Sequence, residues 1–172
     1  MVLVISRKWS DNYSMSDLLV KLYALPPLEP VIRRAEESGV TIRRPMTPER
    51  YAVVNWVAQN YGDRWGSEVA MAFSGHPITC FMAVNGGGDI IGFACYNATF
   101  KGFFGPTGVL ENWGGRGIGT ALLIRSLYAM KDDGHAYAII GGAGPSEFYE
   151  EVVGAIVVPD STPGPYEGII PQ

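Results

Sequence analysis

The stretch that most constrains this chain is Gly114 to Met130, where a glycine-dense turn runs straight into an amphipathic helix. Positions 114, 115, 117 and 119 are all glycine. Without Cβ atoms in the way, the backbone N–H groups of such a turn can converge on one point. The helix behind it brings the positive end of its dipole to the same place. A phosphate or diphosphate is the natural guest. Leu123, Leu127 and Met130, with Leu122 beside them, recur at helical spacing and predict a face packed on a sheet.

The segment feeding the turn, Phe103 to Leu110, reads as a strand interrupted by Gly105, Pro106 and Gly108. Interior Gly and Pro in a strand mark a bulge or a close backbone approach by a ligand. The helix is expected to stop near Asp132 and Asp133, with Gly134 as a left-handed cap. Ala136 to Ile140 then reads as a buried strand, parallel to the first through a right-handed crossover.

Gly114-Gly115-Arg116-Gly117-Ile118-Gly119 resembles the Arg/Gln-x-x-Gly-x-Gly/Ala signature of the GNAT N-acetyltransferase superfamily, with Gly114 in place of Arg or Gln. Glu147-Phe148-Tyr149-Glu150 is similar to the same family's Phe-Tyr-Glu helix, with one extra residue before Gly154. The resemblance spans roughly residues 40 to 158. It implies acetyl-CoA as co-substrate, held at the diphosphate by Gly114, Gly115, Arg116, Gly117, Ile118, Gly119 and Thr120. The backbone of Thr107, Val109 and Leu110 is expected to hold pantetheine and polarise the thioester. Tyr149 is expected to protonate the departing thiolate, and Glu68 and Glu111 are candidates for the base that takes the acceptor's proton. The implied reaction is N-acetylation of a small primary amine by direct attack in a ternary complex. A non-catalytic acyl-CoA-binding or sensor protein is the alternative.

The remaining chain supports an α/β fold: a mixed, largely antiparallel sheet, helices on both faces, and a split between the fourth and fifth strands. A strand is expected at Val40–Arg43, helices from Thr47 to about Asn60 and from Trp65 to Phe73, and a hairpin from Ile78–Val84 through Asn85–Asp89 to Ile90–Tyr96. Ser146 is the expected N-cap of the Phe-Tyr-Glu helix, Ala155–Val158 a last strand, and Pro159–Tyr166 a loop. Residues 1–39 are set apart as an arm, with an apolar run at Leu18–Tyr23, a helix at Pro30–Ser38 and a solvated face carrying Arg33 and Arg34. The arm leaves a homodimer contact open, and residues 40–172 form the domain proper.

Bulk properties narrow the field further. The 172 residues are 47% apolar and 17% charged, which fits one globular domain. A net charge of −4 argues against a general nucleic-acid binder. No apolar run reaches the ~20 residues of a membrane span, and the short apolar start lacks the charge order of a signal peptide. Cytoplasmic residence is the expectation. Cys80 and Cys95 fit reduced thiols on neighbouring strands, and His76 and His135 lack metal-ligand spacing. A dinucleotide fold would need Gly-x-Gly-x-x-Gly after a smooth strand, and a P-loop would need Gly-Lys-Ser/Thr. Neither pattern is here.

Overall fold

The computed structural model describes residues 15–170. The apolar start and the turn-rich Ser10–Ser14 cluster lie outside the described residues. Seven strands form one sheet in the order β2-β3-β4-β5-β6-β1-β7. They are β1 (Leu18–Lys21), β2 (Val40–Arg43), β3 (Cys80–Asn85), β4 (Ile90–Tyr96), β5 (Phe103–Val109), β6 (Tyr137–Ile140) and β7 (Ile156–Val157). Among the described residues only β5 and β6 pair in parallel; every other pair is antiparallel. The helices are α1 (Leu28–Glu37), α2 (Arg50–Tyr61), α3 (Asp63–Ala72), α4 (Ile118–Asp132) and α5 (Ser146–Val153).

Alternation in the hairpin strands splits the core between two faces. Phe81 and Ala83 of β3 point to one side with Leu122, Leu123 and Leu127 of α4. Cys80 and Met82 point to the other, with Val53 and Val57 of α2 and Trp65 and Val69 of α3. This is the period of two expected of a strand buried on both faces. Helix α1 covers α4, and α5 packs against β1.

Residues 18–37, which the sequence alone sets apart as an arm, belong to the sheet and one of its layers. Strand β1 lies between β6 and β7, with Leu18 opposite both Ile140 and Val157. Its Leu18 and Val20 are fully buried. A run of only four residues carries too little periodicity to announce a central strand.

Helices α1 and α3 begin slightly before the expected starts, at Leu28 and Asp63, and the starts of α2 and α5 differ in their caps. Thr47–Glu49 forms a 3₁₀ turn, and α2 begins at Arg50. There the Glu49 carboxylate reaches back to accept the Met46 N–H at 2.6 Å, while also pairing with Arg43. Ser146 is the first residue of α5 and not its cap. Pro145, extended at φ −74°, ψ 130°, takes the cap position, and no side chain caps the helix. In the tail, residues Gly164–Tyr166 form a 3₁₀ turn inside the expected loop.

Candidate functional site

The site is built on the one place where the sheet comes apart. Strands β5 and β6 pair only at Phe103–Ile139 and Phe104–Ile140. Beyond that point they diverge. The cause lies in β5, which fits three residue steps, Phe104 to Thr107, against two on β4, Tyr96 to Ala94. The extra residue falls at Gly105 and Pro106 and makes the expected bulge. From there to Val109 the edge of β5 facing β6 has no strand beside it.

The free groups on that edge follow from the ladder. The Leu110 N–H donates to the Ile91 carbonyl on β4 at 2.9 Å. Backbone groups alternate sides along an antiparallel strand, so Thr107 and Val109 aim theirs into the split and Gly108 aims its own at β4. Leu110 drops out of the expected backbone set, because its carbonyl also accepts the Trp113 N–H at 2.9 Å.

The edge joins two cavities. Thr107 lines an inner one with Phe104, Gly105 and Pro106, together with Trp65, Glu68 and Tyr149. Val109 lines a second, of about 210 Å³, with Gly114, Gly115, Gly117, Ile118, Gly119 and Thr120. Neighbouring residues of α5 serve one each: Tyr149 the inner cavity, Phe148 the glycine turn. Gly117 caps α4 in the left-handed region at φ +79°, a conformation that costs an L side chain about 1–2 kcal/mol.

Two titratable side chains, Glu68 and Tyr149, line the inner cavity. Tyr149 is 2% exposed, and burial pushes its phenol well above the usual value. Glu68 accepts the Thr99 hydroxyl on Oε1, while its Oε2 is buried with no hydrogen-bond partner. Desolvation raises the Glu68 carboxyl, and the Thr99 bond opposes this in part. Glu111 lies elsewhere: it is exposed in the 3₁₀ turn Glu111–Trp113 and is absent from the inner cavity's lining. Tyr61, the last residue of α2, stacks on Trp65 at 5.4 Å and covers Gly108. Its hydroxyl is buried without a partner, and desolvation lifts it to about 12.

An arginine distant in sequence, Arg34, lines the glycine-turn cavity. The Arg116 guanidinium lies 4.6 Å from the Trp113 ring centroid and is not part of the cavity wall. Arg34 of α1 lies over the turn. A Cβ on Gly117 would meet its Nε at 3.3 Å and its guanidinium carbon at 3.7 Å. The sequence places Arg34 on a solvated helix face, and nothing local signals that α1 packs on α4.

The model of the acetyltransferase (GNAT) family matches residues 47–155, more than half of the chain. The protein therefore belongs to the GNAT acetyltransferase family. Solved structures share the fold. A GCN5-related glucosamine N-acetyltransferase region of a fungal multi-domain GH3 β-N-acetylglucosaminidase superposes with a TM-score of 0.69 at 15% identity, over 84% of this chain and 20% of that one. A GCN5-related N-acetyltransferase from Sphaerobacter thermophilus gives 0.62 at 23% identity, over 84% and 48%. Another from Kribbella flavida gives 0.53 at 15%, over 91% and 56%. This chain thus spans from a fifth to just over half of those proteins. Among curated proteins there is no significant sequence match. No helix among the described residues is long and apolar enough to cross a membrane, and no group of His, Cys, Asp and Glu there has the makings of a metal site.

Proposed function

We propose that this protein transfers an acetyl group from acetyl-CoA to the primary amine of a small acceptor, by direct attack in a ternary complex. One observation carries the reading. The unpaired edge of β5 runs from a cavity holding Glu68 and Tyr149 to a cavity built on the glycine turn.

The backbone of Gly114, Gly115, Gly117, Ile118, Gly119 and Thr120 fits a diphosphate, with the Arg34 guanidinium above it. The free groups of Thr107 and Val109 would take the pantetheine amides as a strand would. An N–H on this edge, aimed at the thioester oxygen, stabilises the charge that develops there.

In the reaction the amine nitrogen forms a bond to the acetyl carbon and the carbon–sulfur bond breaks. Glu68 takes the amine's proton, since its raised carboxyl is a stronger base than an exposed one. Tyr149 donates a hydrogen bond to the sulfur as charge builds on it. Handing over the whole proton would leave a buried phenolate beside a thiol of pKa about 8.5. The hydroxyl therefore keeps its proton, and the thiol gains its own from solvent.

The test is release of free thiol from acetyl-CoA in the presence of a panel of primary amines. Turnover is expected, with Tyr149→Phe lowering kcat and leaving CoA affinity unchanged. Tight CoA binding without thiol release from any amine would instead make this a non-catalytic acyl-CoA-binding protein. Unchanged kcat in the variant would remove Tyr149 from the chemistry.

A further inference from the structure

The inner cavity does not end at Glu68. A second chamber of about 450 Å³ begins there, and Glu68, Thr99 and Tyr166 line both. The outer chamber owes its far wall to residues 165–169, which fold back beside α3. The Ile170 carbonyl accepts an Arg64 Nη2 hydrogen bond at 2.7 Å. The Tyr166 ring packs edge-on to Phe100 at 5.9 Å. Its hydroxyl fills the space where Gly141, at the end of β6, lacks a side chain; a Cβ there would lie 2.7 Å away. The base of the segment is fixed too. Ser161 accepts the Asp17 N–H at 2.8 Å, and the Asp17 carboxylate accepts the Gly142 N–H at 3.0 Å. All of these wall residues beyond 155 lie outside the family match.

We propose that this returning segment forms the acceptor site and selects a primary monoamine with a compact apolar or aromatic body. The proposal rests on the acetyltransferase reading above and names the acceptor class for that site.

Charge sets the first requirement. Glu68 Oε2 is a buried acceptor with no partner, an arrangement that one ammonium relieves with a charge-assisted hydrogen bond. Among the described residues no lysine or arginine lines the inner chamber, and Glu68 is its only carboxylate. Glu167 is exposed on the outer chamber, whose lining also includes Arg64. A polycation would find one buried carboxylate and not several. The apolar lining sets the second requirement. Phe100 and Ile169 are 40% and 41% exposed and both face the outer chamber. Together with Pro165 and Tyr166 they present apolar surface that a ring-sized body would cover. With its ammonium at Glu68, such an acceptor is already in the chamber that holds Tyr149.

The experiment compares phenethylamine, spermidine and glucosamine as acceptors at saturating acetyl-CoA. Phenethylamine is expected to show the highest kcat/KM, by about tenfold or more, the scale of one lost apolar contact. Tyr166→Ala should raise the KM for phenethylamine about tenfold by the same reasoning, narrow its lead over glucosamine, and leave the KM for acetyl-CoA unchanged. Tyr166→Phe, which keeps the ring, should retain the preference. Phe100→Ala reads the same chamber should Tyr166→Ala fail to fold. Preference for spermidine or glucosamine, with acetyl-CoA turned over normally, would overturn this proposal alone. No thiol release with any amine would overturn it together with the transferase reading.

Discussion

Replacing Arg34 by alanine should weaken CoA binding through the diphosphate alone. The guanidinium carbon lies 3.7 Å from where a Cβ on Gly117 would sit, so a diphosphate resting on the turn comes within reach of a direct contact. Two unit charges about 4 Å apart attract by about 1 kcal/mol in water and about 4 kcal/mol in the medium of a protein surface. Arg34 is exposed and must be ordered to make the contact, which pulls the net value toward the lower figure. A loss of about 1–2 kcal/mol, or about 5- to 30-fold in Kd, is expected. Calorimetric titration reads it directly. CoA and dephospho-CoA, which share the diphosphate, should lose affinity equally. The wild-type advantage should shrink at high salt, as screening requires. Turnover of S-acetylpantetheine, which has no diphosphate, should not change. A loss under twofold, or one confined to CoA with its extra 3′-phosphate, would refute the placement of Arg34 over the diphosphate.

Two further predictions concern carboxylates. Burial raises the Glu68 carboxyl, so kcat/KM should climb with pH through a value above the ordinary carboxylate range, and Glu68→Gln should flatten that limb while lowering the rate about 10²- to 10⁴-fold. Its protonated form is the one the fold favours, and that stability is lost as pH rises through the folded pKa; Glu68→Gln should therefore raise Tm at pH 7 and not at pH 3. Glu49 shows the reverse. Its two oxygens accept Arg43 at 2.6 and 2.8 Å, and this pairing holds its carboxyl down to about 2. The resulting stability is complete above about 4.5, the unfolded value, and fades as pH falls toward 2. For a half-exposed pair, Glu49→Gln should cost about 1 kcal/mol at pH 7, or about 2–4 °C in Tm, and much less at pH 2. An equal Tm difference at both pH values would contradict the pairing.

The part of the molecule written in local pattern was legible in the sequence. The glycine turn, the bulged strand and the Phe-Tyr-Glu helix each carry their geometry in adjacent residues, and they brought Tyr149, Thr107 and Val109 to the split. What depended on distant packing was not. Arg34 reaches the turn only because α1 rests on α4. Arg116, inside the turn in sequence, stacks on Trp113. Glu111 and Glu68 looked equivalent as acids, and only the course of α3 puts Glu68 in the cavity that Tyr149 also lines. Leu110 was separated from Val109 by ladder phase, which one hydrogen bond to Ile91 fixes. Strand β1 is four residues long and gains its place from β6 and β7, which lie far along the chain.

The account rests on an open β edge that a CoA molecule completes. Hydrogen exchange of the backbone amides, with and without CoA, tests it most directly. CoA should slow exchange at Thr107 and Val109 and across Gly115 to Thr120, and leave Gly108 and Leu110, already turned toward β4, unchanged. Protection that spares Thr107, Val109 and the glycine turn while CoA is bound would contradict it.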